Sequence, residues 1–382
     1  MEACVATIDQ QPSPPLHHDR RQGVTQQRSL AIGVIGPGRV GSAVLEQLRE
    51  ARPRLARGGL NLLVRGVAGR RQMWLDCDDP ERNRRTDGAQ TWHPANLDDF
   101  AAHIRGEDGL PALLLDCTAS EDVANRYAEW LATGIHVVTP SKLAGSGPLQ
   151  RWNAIRSSSA SSGRFRHEAA VCAGLPVVQT LRDLVDTGHE ILGVEGMFSG
   201  TLAWLCNGYD GRQPFSALLR KAHANGYTEP DPRADLSGLD VARKLVILAR
   251  EAGLALSLDD VTVESLVPPT LMDLSTSAFM DRIDELDAPL AASLACAQAV
   301  GGVLRHVGSL DRNGRAQVKL TPLPREHAFA HTRLTDNVVQ FHTRRYRDNP
   351  LVIQGPGAGP EVTAAGAFGD VLRIAESLAP VP

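Results

Sequence analysis

A chain of 382 residues with 42% hydrophobic and 22% charged residues has room for two domains and ample material for their cores. Its net charge of −4 and isoelectric point near 6.3 give no electrostatic basis for binding nucleic acid or an anionic membrane. No run approaches the ~20 apolar residues of a membrane helix, the N-terminus lacks a secretory pattern, and Cys4, Cys77, Cys117, Cys172, Cys206 and Cys296 form no C-x-x-C pair, so a cytoplasmic protein with reduced thiols is expected.

Residues 1–28 are rich in Gln, Pro and His without apolar periodicity and read as a disordered tail. Residues 30–35 then form a short buried strand, followed at once by Gly36-Pro37-Gly38-Arg39-Val40-Gly41 and an apolar-periodic helix. This is a G-x-G-x-x-G turn in the context that dinucleotide binding requires. Gly36 permits the tight turn, Gly38 lets the backbone approach a pyrophosphate, and Gly41 packs helix on strand, while the helix N-terminus at Arg39 and Val40 offers free N–H groups. A second strand is expected over 61–68. An NAD site would place an acid at its end; here the chain reads Gly69-Arg70-Arg71, and arginines there suit the 2′-phosphate of NADP. The spacing from Gly41 is long, so the first helix and its loop must absorb the excess.

Residues 112–117 and 135–138 read as further strands with a helix over 122–133 between them, a β-α-β unit whose strands should be parallel. Thr118, Ser120 and Lys142 then fall at the carboxyl ends of strands, where such sheets bind ligands. Beyond residue 165 the pattern changes. Residues 168–176 combine Glu168 with a small-residue turn whose carbonyls suit a hard monovalent cation or make an ordinary loop. A helix over 177–186, a strand over 191–198 and a helix over 202–207 follow.

The segment from Gly226 to Lys244 carries most chemistry. Pro230 and Pro232 stiffen a loop that exposes Glu229, Asp235 or Ser237 can cap the following helix, and Val241, Ala242, Leu245, Leu248 and Ala249 form its apolar face. Asp240, Arg243 and Lys244 lie opposite, with Asp240 and Lys244 neighbours at i, i+4, either a solvated helix pair or part of a polar pocket.

Through these motifs the chain from about Leu30 to Leu378 resembles homoserine dehydrogenase, especially the dehydrogenase half of the fused aspartokinase–homoserine dehydrogenases. The segment from Gly226 to Lys244 matches that family's most specific signature. Supporting matches are Ala173-Gly174-Leu175-Pro176, Phe198-Ser199-Gly200-Thr201-Leu202, Asp348-Asn349-Pro350-Leu351-Val352-Ile353, Gly355-Pro356-Gly357-Ala358-Gly359 and Val362-Thr363-Ala364-Ala365-Gly366. The length leaves no room for a kinase half, and no regulatory domain is expected after residue 382.

The resemblance implies an α/β chain with a Rossmann-type dinucleotide-binding domain over 29–165, joined by a returning segment 355–382, and an α+β catalytic and dimerisation domain over 166–354. It implies reversible NADP- or NAD-dependent interconversion of L-aspartate 4-semialdehyde and L-homoserine in a homodimer. Lys244 matches the proton donor, with Lys142 as a second lysine at the reacting oxygen. Gly226, Glu229, Asp235 and Asp240 fall where homoserine is bound, and Thr118, Lys142 and Gly359 meet the nicotinamide end of the cofactor. Glu168, with the carbonyls of Val171, Ala173 and Leu175, matches a sodium site.

Three positions depart from the family pattern. Cys172 stands where glycine is usual, Ser141 where asparagine is common before the lysine, and Ala234 where an acid is usual beside Asp235. Two other classes fit the residues less well. A thioester-forming aldehyde dehydrogenase needs a reactive cysteine with a base, which neither Cys117 nor Cys172 has nearby in sequence, and a catalytically dead NADP-binding sensor would not need Lys142, Glu229, Asp240 and Lys244 together.

Overall fold

The computed structural model describes residues 27–75 and 92–378, so most of the segment read as a tail, together with Cys4 and Cys77, lies outside the described residues. The first half builds a seven-stranded sheet from β1 (Arg28–Ile35), β2 (Leu60–Ala68), β3 (Gln72–Leu75), β4 (Trp92–Pro94), β5 (Ala112–Asp116), β6 (His136–Val138) and β7 (Phe165–Arg166). Its order is β4-β3-β2-β1-β5-β6-β7, parallel from β2 to β7, with β3 and β4 antiparallel at one edge. Along β1 the side chains alternate: Ala31 and Ile35 enter one core, and Leu30, Ile32 and Val34 the other. Both faces are therefore covered, as a parallel sheet requires. The strand starts at Arg28, two residues before the expected onset at Leu30.

The Arg39–Arg57 helix is 19 residues long, which accounts for the wide spacing between the glycines and the arginines. The helix expected over 122–133 is instead two short helices, Glu121–Asn125 and Tyr127–Ala132, with Arg126 at the break. The Pro360–Glu376 helix returns from the far end of the chain and packs on Arg39–Arg57, placing Ala364, Ala367 and Val371 in the same core as Leu30 and Ile32.

The second sheet comprises β8 (Ile191–Met197), β9 (Val261–Val263), β10 (Val303–Asp311), β11 (Ala316–Leu323), β12 (Asp336–Thr343) and β13 (Leu351–Pro356), in the order β13-β12-β8-β10-β11-β9. The helices Val177–Asp186 and Leu239–Glu251 cover one face around Val194, Leu310, Val318, Val339 and Phe341. β7 runs to Arg166 in the first sheet and β13 to Pro356 in the second, so the sheets change over slightly later than the boundaries at 165 and 354. Among the described residues no helix is long and apolar enough to cross a membrane.

Candidate active site

A cleft of about 1190 Å³ opens between the carboxyl edge of the parallel sheet and the segment that precedes the Leu239–Glu251 helix. Val40, Cys117, Thr118 and Lys142 line it from the first sheet, Gly226, Glu229, Asp235, Asp240 and Lys244 from the second unit, and Gly359 from the start of the returning helix. The glycine turn is shaped for a ligand. Gly36 has φ of +84° and a Cβ there would sit 2.6 Å from the Thr118 methyl, while a Cβ on Gly41 would meet the Gly36 carbonyl at 2.2 Å. A Cβ on Gly38 would meet no protein atom within 4 Å, and its φ of −78° suits any residue, so the protein itself does not demand glycine there. Pyrophosphate approach does.

At the centre of the cleft two lysines share one carboxylate. Lys244 Nζ donates to Asp240 Oδ2 at 2.8 Å and to the Phe198 carbonyl at 2.7 Å, and Lys142 Nζ lies 3.1 Å from Asp240 Oδ1. Lys244 is 8% exposed, so of the two readings open for the Asp240–Lys244 pair the polar pocket holds; Asp240 is half-exposed to the cleft and Arg243 reaches solvent. Burial alone would lower the Lys244 pKa, but the Asp240 charge overrides it and the net shift is upward. For Asp240, burial pushes the carboxyl up, and the two ammonium groups more than reverse this, holding it below the usual carboxylate range. Each Asp240 oxygen already engages a lysine. Each oxygen keeps a further lone pair, and Asp240 lines the cleft beside Glu229 and Asp235.

The loop that carries those two acids is braced locally. Asp231 accepts from the Arg233 backbone and from its guanidinium, which also donates to the carbonyls of Leu271, Met272 and Leu274. Gly226, at φ +70°, turns the chain into this loop. Of the two capping candidates, Asp235 turns away, its Oδ2 accepting from the Glu229 N–H at 2.8 Å, and Ser237 Oγ accepts the Leu239 N–H at 3.3 Å where the helix begins. A short Arg233–Leu236 helix intervenes, and Gly238, at φ +73°, takes the N-cap position. Burial raises the pKa of Asp235. Ala234 also lines the cleft, and the acids of this wall are Glu229, Asp235 and Asp231, the last already engaged by Arg233.

Arg70 and Arg71 stand apart from the main cleft in a second concavity of about 470 Å³, with Pro37 of the glycine turn and Trp92 of β4. Both guanidinium-bearing residues are exposed. The turn after Glu168 borders the cleft through Ala169, Ala170, Cys172 and Ala173. Glu168 is buried, its oxygens accept the Val178 and Gln179 N–H groups at 2.8 Å each, and burial together with the Asp370 charge pushes its carboxyl up to about 7. Cys172 keeps a left-handed backbone, φ +58°, and Ala173 follows at +53°, so the turn retains the conformation for which glycine is usual. The Leu175 carbonyl accepts the Val177 N–H at 2.8 Å. Among the described residues no group of three or more His, Cys, Asp and Glu side chains suits a metal ion. Burial pushes the thiols of Cys117 and Cys172 up to about 12, far from a nucleophile's range.

Sequence reasoning assigned no part to the Phe198 carbonyl, to Thr201, whose hydroxyl donates to the Tyr227 carbonyl at 2.7 Å, or to Trp92. The family match over Phe198 to Leu202 was the available signal for the first two. For Trp92 there was none, because its proximity to Pro37 exists only once β3 and β4 pair.

A glycine-turn sheet facing a polar cleft closed by a second α+β unit defines the class of two-domain, dinucleotide-binding dehydrogenases. A family model described as homoserine dehydrogenase matches residues 176–372, and one described as homoserine dehydrogenase, NAD binding domain, matches residues 36–168. The chain belongs to the homoserine dehydrogenase family. It is 45% identical over 356 residues to bifunctional aspartokinase/homoserine dehydrogenase 1, chloroplastic, of Zea mays, covering 92% of this chain but 39% of that protein. The homoserine dehydrogenase of Emericella nidulans is 39% identical over 374 residues, 91% of this chain and 99% of the relative. In three dimensions a Candida auris protein of unknown function aligns with a TM-score of 0.85 at 34% identity, covering 92% of this chain and 99% of that one.

Proposed function

We propose that this protein interconverts L-homoserine and L-aspartate 4-semialdehyde with NADP or NAD, a step towards threonine, methionine and isoleucine, and works in the cytoplasm as a homodimer built through the second sheet. The observation that carries this reading is the Asp240-bridged pair of Lys142 and Lys244, set between the glycine turn and the acidic loop. Residues 29–165 with the returning segment serve the cofactor, and the intervening residues serve the substrate.

The bound nicotinamide supplies hydride acceptance and donation at C4 of the substrate. Lys244, anchored by Asp240 and the Phe198 carbonyl, holds the proton that the developing alkoxide takes on reduction, and accepts it back on oxidation. Lys142 approaches the same oxygen from the other side of Asp240 and stabilises its charge. Glu229 and Asp235 hold the amino-acid ammonium against the Gly226 turn. Thr118 and Gly359 border the nicotinamide end, and the turn from Gly36 to Gly41 holds the pyrophosphate. Arg70 and Arg71 favour NADP by holding its 2′-phosphate. Glu168 and the carbonyls of Val171, Ala173 and Leu175 suit a monovalent cation such as sodium, whose charge would offset that of a buried carboxylate.

In the direct test, purified protein is expected to reduce NADP in the presence of L-homoserine, with a lower efficiency on NAD. Replacing Arg70 and Arg71 by alanine should raise KM for NADP about tenfold, the loss of one charge-assisted hydrogen bond, and leave KM for NAD near its original value. Absence of homoserine turnover with either cofactor would end this reading. Equal efficiency with both would end only the argument from the 2′-phosphate.

A further inference from the structure

Beneath the floor of the cleft lies a buried polar network that the proposed reaction does not use. Asp116 ends β5 and is 1% exposed. Its Oδ1 accepts the Thr118 N–H at 2.8 Å, and its other oxygen accepts the hydroxyl of Tyr127, a residue with no exposed surface. The Asp116 carbonyl accepts the Thr139 hydroxyl at 2.8 Å, and Thr139 Oγ1 accepts the Ser141 N–H at 2.9 Å. Two loops are thereby tied to one residue. One carries Thr118 and the other, immediately after Ser141, carries Lys142.

This arrangement is expensive for mere structure. Among the described residues no basic side chain donates to Asp116, and burial pushes its carboxyl up against its hydrogen-bond donors. Turns at strand ends are commonly held by a serine, a threonine or an asparagine without burying an acid. A carboxylate grips its donors more strongly and with less freedom than a neutral acceptor. The break at Arg126 starts a new helix at Tyr127, whose hydroxyl reaches Asp116.

We infer that Asp116, Tyr127 and Thr139 form a positioning network that fixes Lys142 relative to Thr118, and so aligns the charge-stabilising lysine with the nicotinamide end of the cleft. The inference rests on the dehydrogenase reading above. None of the three lines the cleft, so each acts through the residues that do.

The test compares Tyr127→Phe, Thr139→Val and the conservative Thr139→Ser with the unaltered protein. Each is assayed for L-homoserine oxidation by NADP, for the isotope effect with homoserine deuterated at C4, and for thermal midpoint. Misplacement by a fraction of an ångström up to 1 Å should lower kcat about ten- to a hundredfold in Tyr127→Phe and Thr139→Val. KM for homoserine should stay within about twofold, since its binding loop is untouched. The isotope effect on kcat should rise as hydride transfer becomes limiting, and Thr139→Ser should recover most of the rate. A lowered midpoint with unchanged kcat and isotope effect would overturn the assignment, as would failure of both Tyr127→Phe and Thr139→Val to fold, which would make the network core structure alone. An unaltered protein inert towards homoserine would remove the reaction itself and this role with it.

Discussion

Asp240 is the residue on which the proposed chemistry turns, because it lets two lysines meet within one polar centre, 3.1 and 2.8 Å from its two oxygens. Oxidation of an alcohol needs a base for the hydroxyl proton, so the rate in that direction should follow the neutral fraction of Lys244. The pKa of Lys244 is raised, so kcat for homoserine oxidation should climb through the alkaline range without a plateau below the ordinary lysine value. Asp240→Asn removes the charge that raises it and leaves the burial that lowers it. The alkaline limb should then move to lower pH by about one to three units, the usual effect of losing an adjacent opposite charge. Semialdehyde reduction should begin to slow at correspondingly lower pH on the alkaline side, as Lys244 loses its proton earlier. Profiles of kcat from pH 7 to 11 in both directions decide the matter: an unmoved limb would assign the proton to another group.

The Leu239–Glu251 helix ties that centre to the rest of the second unit. At its far end, buried Glu251 accepts two hydrogen bonds from Arg182, at 2.8 and 2.7 Å, and lies 2.7 Å from His167 Nε2. Glu251→Gln keeps the shape but strands a largely buried guanidinium, and should destabilise the protein by about 3–5 kcal/mol. Urea unfolding measures this, and a loss below about 1 kcal/mol would mean that Arg182 had found another acceptor. The same helix shows what a sequence can disclose. Its apolar spacing identifies Val241, Ala242, Leu245, Leu248 and Ala249, all of them buried. It does not reveal that Lys244, Arg250 and Glu251 are buried too, because their partners lie on distant parts of the chain. The glycine turn and the strand before it were legible because their cues are local. Between the capping candidates Asp235 and Ser237 the sequence did not choose: the chain inserts a helical turn at Arg233–Leu236, braced by the Arg233 contacts with Leu271, Met272 and Leu274, and Ser237 is left to accept the Leu239 N–H. At the turn after Glu168 the residue types left a cation site and an ordinary loop both open, because backbone carbonyls leave little mark in a sequence, and only the family resemblance favoured the cation.

Across the whole molecule, each of three buried histidines guards a different region: His136 the first sheet, His306 the second, and His167 the junction between them. Burial lowers the pKa of all three, to about 4 for His136 and His306. His136 Nδ1 accepts the Arg164 N–H at 3.0 Å, and His306 has no hydrogen-bond partner on either ring nitrogen, so an added proton finds no acceptor ready. The unfolded chain binds these protons from about pH 6.5 downward while the folded chain resists them, so stability is present above that pH and lost as the pH falls. By pH 5.5 a histidine with so depressed a pKa costs about 1 kcal/mol. Glu168 works in the opposite sense: its raised carboxyl binds a proton in the folded state between about 7 and the ordinary glutamate value, which recovers part of the loss on acidification. A bound sodium ion would hold that carboxylate ionised and withdraw the recovery. Urea midpoints are therefore expected to fall from pH 7.5 to 5.5, and to fall further in sodium chloride than in a matched concentration of tetramethylammonium chloride, whose cation is too large for a carbonyl turn. Equal falls in the two salts would remove the cation from Glu168, and a midpoint that rises on acidification would show that the carboxylates outweigh the histidines.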